Sequence, residues 1–161
     1  MIVNKFKIRE EITKWVLGNQ WVSPFAVTLT FKKFQQSDYG GVHFLTPAVA
    51  SRNVRHFLNI VDKQVYGSAA ERYGKRIMRL AVAEGTETKH LHYHLLLDCP
   101  RENLLEQYPE MISNTWISTE WGNKQIDIQP CDSGWLDYMT KFRDKPNFAD
   151  SFDWENCHVT N

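Results

Sequence analysis

No apolar run in this chain approaches the roughly 20 residues that a membrane-spanning helix needs, so no membrane-embedded role is expected. The N-terminus lacks signal-peptide character, because Lys5, Lys7, Arg9, Glu10 and Glu11 interrupt any apolar region. Cysteine is scarce. Cys99, Cys131 and Cys157 are odd in number and show no CxxC spacing, which argues against a disulfide framework and a zinc knuckle and for a reduced, cytoplasmic setting. Net charge is lacking too: 19 basic side chains balance 19 acidic ones, so the whole chain does not advertise a nucleic-acid partner. Repeats and low-complexity stretches are absent.

What remains is ordinary globular material, 42% hydrophobic and 24% charged. Its 161 residues suit one domain over 1–161, with a core at about 20–145 and a tail from 146 to 161. That tail carries Phe148, Phe152 and Trp154, which favour docking on the body, and the acids Asp150, Asp153 and Glu155 with no Lys or Arg. The rest of the chain is thus slightly basic. Its cations cluster at Lys32-Lys33, Arg52/Arg55, Arg72/Lys75/Arg76/Arg79 and Lys141/Arg143/Lys145, as phosphate-binding patches or as solvated surface.

The most informative stretch is Lys89–Asp98. Read as a strand, it puts His90, His92 and His94 on one face and Leu91, Tyr93, Leu95 and Leu97 on the other. The leucine face suits packing on helices. The imidazole face reads as a solvated patch, a hydrogen-bonded cluster or a metal site. A second strand, Lys75–Glu84, precedes it, and Gly85–Lys89 is a polar turn. In a plain antiparallel hairpin centred near Thr88, Glu84 faces His92 and His94 faces Val82, so Glu84, His92 and His94 converge. His90 falls nearer the turn and is the weaker ligand candidate. Glu84 is then either a metal ligand or a strand-end carboxylate in water.

Helical spacing of Ile8, Ile12, Trp15 and Val16, ending at Gly18, predicts an N-terminal helix over 7–18. Phe25–Lys32 alternates strictly and predicts a strand with Thr28 and Thr30 on its polar face. Gln35–Phe44 reads as a loop. Thr46-Pro47 starts a helix that Gly67 ends. After the hairpin, a helix from Leu104 to Trp116 is kinked or restarted by Pro109, and Lys124–Pro130 is a short strand. Ser133 caps a last helix, Gly134 to about Phe142, with Trp135, Leu136, Met139 and Phe142 inward and Tyr138 and Lys141 together on the other side. The order predicts an α+β fold: a ferredoxin-like or RRM-like antiparallel sheet (βαββαβ core) with helices on one face and an extra N-terminal helix. The other face, bearing Thr28, Thr30, Glu84, His92, His94 and Asp127, is expected to stay open.

The ordered set resembles the HUH endonucleases, and in particular the single-tyrosine nuclease domain of rolling-circle replication initiators (Rep proteins). His92-Tyr93-His94 is similar to their His-hydrophobic-His motif. Phe25–Phe31 is similar to their first motif, and Tyr138-Met139-Thr140-Lys141 to their Tyr-x-x-Lys motif. Glu84 is similar to the acidic ligand upstream of the histidine pair. The likeness spans roughly residues 25 to 145, and no P-loop helicase domain follows in this chain.

The resemblance implies metal-dependent, site-specific nicking and joining of single-stranded or hairpin origin DNA, to start replication of a plasmid or virus. It implies Tyr138 as nucleophile, Lys141 as its charge partner, and Glu84, His92 and His94 as ligands of Mn²⁺ or Mg²⁺. Host replication proteins would be further partners. Tyr138 on its own also reads as a tyrosine at a helix–sheet boundary. Thr28 and Thr30 suit DNA contact, support of the ligands, or strand filling; Arg76 and Arg79 suit phosphate contact or solvated charge. A transposase of the HUH type, a non-heme iron oxygenase and a non-catalytic RRM-like binding module are the alternatives. The oxygenase needs more strands than the sequence offers, and the binding module favours aromatics where Thr and His stand.

Overall fold

The alternation in Phe25–Phe31 decides the architecture. In the computed structural model, which describes residues 5–85, 90–131 and 151–160, Pro24–Phe31 forms strand β1 inside a four-stranded antiparallel sheet. Helix α1 (Lys5–Leu17) precedes it. Then come β2 (Phe34–Gln36), β3 (Val42–Phe44), α2 (Pro47–Tyr66), α3 (Ser68–Tyr73), β4 (Arg79–Glu84), β5 (His92–Asp98), α4 (Tyr108–Ser118) and β6 (Gly122–Pro130). The sheet order is β4-β5-β1-β6, and every pairing is antiparallel. Setting aside the small β2–β3 hairpin, this is the expected βαββαβ arrangement.

Each helix is where its sequence puts it. Thr46 caps α2 by accepting a hydrogen bond from the Val49 amide at 3.2 Å, Pro47 opens it, and Gly67 at φ 60° ends it. Val54, Phe57, Leu58, Val61 and Val65 recur on one stripe of α2 and are fully buried. They meet Val27 and Leu29 of β1, Leu95 and Leu97 of β5, and Tyr108, Ile112 and Trp116 of α4. Pro109 stands in the first turn of α4 and so restarts the helix after a 3-10 turn at Glu102–Leu104. The Trp116 indole N–H donates to the Thr30 carbonyl at 2.9 Å, which ties α4 to the strand carrying Thr28 and Thr30.

Several boundaries differ from expectation. The stretch Gln35–Phe44, expected as a loop, instead forms the two-stranded β2–β3 hairpin with Phe34 opposite Phe44. Strands of three residues carry too little alternation to be read. The short α3 was not expected either, and β4 starts at Arg79 rather than Lys75. The expected helix Gly134–Phe142, with Tyr138 and Lys141, lies outside the described residues.

The second face of the sheet is only half open. Ile12 and Val16 of α1 pack with Leu80, Val82, Leu96 and Phe152 over its lower part. These strand residues share parity with Glu84, His92 and His94, so the same face is apolar at one end and polar at the other. Residues 151–160 run along the outer edge of β4, bridging at Val82–Phe152 and Arg79–His158. Trp15 of α1 meets Trp154 with ring centroids 6.2 Å apart. The tail therefore docks, as its aromatics suggest.

Arg79 does not extend to solvent. It is buried, its Nη1 lies 2.9 Å from Asp62 Oδ1, and Asp62 also accepts from the Ile77 amide at 2.9 Å. The expected phosphate contact therefore does not hold for Arg79, whose guanidinium joins β4 to α2. Asp62→Ala would strand a buried cation and should cost about 3–5 kcal/mol. A urea midpoint matching the wild type would refute that assignment.

Candidate metal centre

The hairpin register is the one its sequence dictates, with Glu84 opposite His92 and Val82 opposite His94. Across β1 the same rows continue: Thr30 faces His92, and Thr28 lies between His94 and Asp127. Directly opposed residues share a face. One row is therefore Glu84–His92–Thr30 and the next is Val82–His94–Thr28–Asp127.

The side chains converge. His92 Nε2 and His94 Nε2 each lie 2.7 Å from the same oxygen, Glu84 Oε2. The three ligand atoms all lie within 4.8 Å of one another, close enough to share one ion. His94 is held at depth, its side chain 4% exposed, whereas Glu84 and His92 are 28% and 29% exposed. The cluster is thus rooted in the sheet and open on one side.

Outer contacts fix the rings. The backbone carbonyl of His90 lies 3.1 Å from His92 Nδ1. A carbonyl only accepts, so Nδ1 carries a hydrogen. A neutral His92 then presents a lone pair on Nε2 toward a carboxylate oxygen, and that pairing is repulsive unless a proton or cation lies between. Thr28 Oγ1 lies 3.3 Å from His94 Nδ1 and plays the corresponding part for the second ring. Burial holds the His94 imidazole below its ordinary pKa, against the pull of Glu84, and so favours the neutral form that ligates metals. Burial pushes the Glu84 carboxyl up, but His94 and His92 outweigh it and hold the group below its usual value.

The turn that delivers His90 depends on Gly85. It sits at φ 97°, and a Cβ there would lie 2.3 Å from the His90 carbonyl oxygen. Gly85→Ala should displace that carbonyl, release His92 Nδ1 and weaken metal affinity by about 10- to 100-fold. Calorimetric Mn²⁺ titration reads this directly, and unchanged affinity would show that the carbonyl is not needed.

The other expected residues are distributed as follows. Thr28 and Thr30 lie beside the cluster; Thr28 supports His94, and the Thr30 hydroxyl donates to the Gln125 carbonyl. Arg76 is exposed at the far end of β4 from the histidines. His90 contributes its carbonyl, and its side chain is exposed. Asp127 is exposed, and the Gln129 amide donates to it at 3.2 Å. Sequence reasoning missed the supporting roles of His90 and Thr28. The signal for Thr28 was its position on the polar face of β1; no side-chain pattern marks a backbone carbonyl.

A protein-family model described as Replication-associated protein ORF2 matches residues 24–147. The chain belongs to this family. It is a family of rolling-circle replication initiators, so the protein has a role in replication initiation, is of nuclease type and has DNA as its partner. No curated protein and no solved structure matches the chain. The stretch shared with the replication-associated family starts at the first residue of β1 and takes in Glu84, His92, His94, Tyr138 and Lys141. Helix α1 and residues 151–160, which pack together below the cluster, lie outside it. Among the described residues of this replication-associated protein, no second group of three His, Cys or carboxylate ligands converges in the same way. No helix among them is long and apolar enough to cross a membrane.

Proposed function

We propose that this protein nicks and rejoins single-stranded DNA through a tyrosine nucleophile in a metal-dependent reaction that starts rolling-circle replication of a small replicon. The observation that carries the reading is the convergence of Glu84, His92 and His94 on the open half of the sheet face of a replication-associated protein. Two imidazoles and a carboxylate suit a divalent ion, Mn²⁺ or Mg²⁺, with its outer side left for substrate oxygens. Such an ion supplies Lewis-acid polarisation of the scissile phosphate and charge for the departing oxygen.

The protein's own residues do the rest. Tyr138 gives up its phenolic proton and attacks the phosphorus in line. The new bond joins phosphorus to the phenolic oxygen, the bond to the 3′ oxygen breaks, and that oxygen takes a proton to become a free hydroxyl. Lys141, three residues on, stabilises the phenolate or the phosphate. The 5′-phosphotyrosyl link stores the bond for later attack by a 3′ hydroxyl, which rejoins the strand. Tyr93 and Tyr108 are unsuited to this part. Both are buried on the helix side of the sheet, where burial pushes their phenols well above the ordinary value. The Tyr93 hydroxyl donates to Asp153 and that of Tyr108 to the Asp98 carbonyl.

The test is incubation with pooled single-stranded oligonucleotides and Mn²⁺, followed by a denaturing gel. A covalent protein–DNA band is expected from single strands and from extruded hairpins. Absence of the band, or equal reaction with a relaxed blunt duplex of the same sequence, counts against the reading.

A further inference from the structure

A cleft of about 670 Å³ opens beside the metal-ligand cluster, within the size range of about 300–1,000 Å³ usual for ligand sites. His92 and Thr30 form one wall, and Lys32, Lys33 and Phe34 form another. Asn123 and Gln125 line it from β6. Its chemistry differs from that of the chain as a whole. The protein is neutral overall, yet this lining carries two lysines and two histidines and no carboxylate. Neither lysine forms a salt bridge with a carboxylate among the described residues. Phe34 is 55% exposed, a large apolar ring left at the mouth of a basic cleft.

The cleft is also built rather than incidental. The pairing of β1 with β6 shifts register between Leu29–Ile126 and Phe31–Gly122, so β6 spends two extra residues there. That bulge takes Asn123–Gln125 out of the regular ladder next to the ligand cluster. The base of the β2–β3 hairpin is fixed at the same place. The Lys32 amide donates to the Trp121 carbonyl at 2.9 Å, the Leu45 amide donates to the Lys33 carbonyl at 3.1 Å, and the Gln35 amide group donates to the Glu120 carbonyl. Asn123 Oδ1 accepts from the Lys124 amide at 2.7 Å, which orients its NH₂ group as a donor.

We propose that this cleft seats the unpaired nucleotide adjoining the phosphate at Glu84, His92 and His94. The base stacks on Phe34, Lys32 and Lys33 hold the flanking phosphates, and Asn123 and Gln125 read the base edge. A stacking ring beside lysines is how proteins hold single strands, whereas a duplex keeps its base faces covered. This assignment rests on the reading of the protein as an enzyme of single-stranded DNA. It adds the residues that choose and hold the strand, none of which belongs to the metal or tyrosine chemistry.

The experiment is fluorescence anisotropy on the full chain in excess chelator, so that binding is read without cleavage. The probes are a labelled dT strand and an abasic strand of the same length. Phe34→Ala should weaken binding of the dT strand about tenfold or more and leave binding of the abasic strand little changed. The double variant Lys32→Ala/Lys33→Ala should weaken both, and should flatten the slope of log Kd against log salt by about 0.7 for each phosphate no longer neutralised. Melting temperatures matching the wild type show that both variants fold, as expected for exposed positions.

If both variants bind both strands like the wild type with the same salt slope, the cleft is not the strand site. If the wild type forms covalent adducts while the variants bind unchanged, the cleft assignment alone falls. If the wild type neither binds a single strand nor forms an adduct, the cleft assignment and the proposed function fall together.

Discussion

His94→Ala should abolish metal-dependent cleavage and lower Mn²⁺ affinity by more than about a hundredfold. Losing an outer-shell partner of a metal ligand already costs about 10- to 100-fold, and His94 is the ligand itself. It is also the best-anchored of the three, 4% exposed and braced by Thr28 at 3.3 Å. Its removal should leave the register of β4 and β5 intact, because that register is set by backbone pairing and by Leu95 and Leu97 in the core. Calorimetric Mn²⁺ titration and the adduct gel, with a thermal melt as control, measure the effect. A folded His94→Ala protein that binds Mn²⁺ and cleaves like the wild type would sink the metal-centre reading.

Tyr138→Phe removes one oxygen and should eliminate the covalent adduct, a loss on the order of 10⁶-fold by comparison with other enzymes deprived of their nucleophile. Mn²⁺ affinity and strand binding should not change, because the phenol is assigned to neither. Lys141→Ala should slow the reaction by about 10²- to 10³-fold without removing the adduct. Peptide mass spectrometry of the wild-type adduct identifies the attacking residue. A nucleotide attached to any tyrosine other than Tyr138 would overturn the assignment.

Much of the fold was legible because its signals are local. Strict alternation marks β1, Thr46-Pro47 and Gly67 bracket α2, and the polar turn near Thr88 fixes which residue of β4 faces which residue of β5. The convergence of Glu84, His92 and His94 follows from that register alone, since directly opposed and diagonal strand residues are neighbours. What escaped the sequence depends on contacts between distant segments. Ile12 and Val16 cover Leu80, Val82 and Leu96, yet no pattern within those strands names α1 as the cover. The clue was that β4 is apolar at consecutive positions, Leu80 to Ala83, which is the mark of a strand buried on both faces. Arg79 was read as a surface cation because its partner, Asp62, lies 17 residues earlier on a helix. The β2–β3 hairpin was missed because three residues are too few to show a period.

The pairing of residues 151–160 with β4 also bears on how the protein behaves at high concentration. An uncovered outer strand offers a row of free amides and carbonyls to the next molecule, and natural sheets protect such edges against self-association. Here the protection is supplied by Phe152 bridging Val82 and His158 bridging Arg79, while Asp153 ties the segment inward through Ser51, Tyr93 and Asn156. A shortened chain ending before Ser151 would keep every residue assigned here to metal, strand and nucleophile. It would also expose a flat edge flanked by Leu80 and Val82, so its yield in soluble form, rather than its chemistry, would be what suffers first.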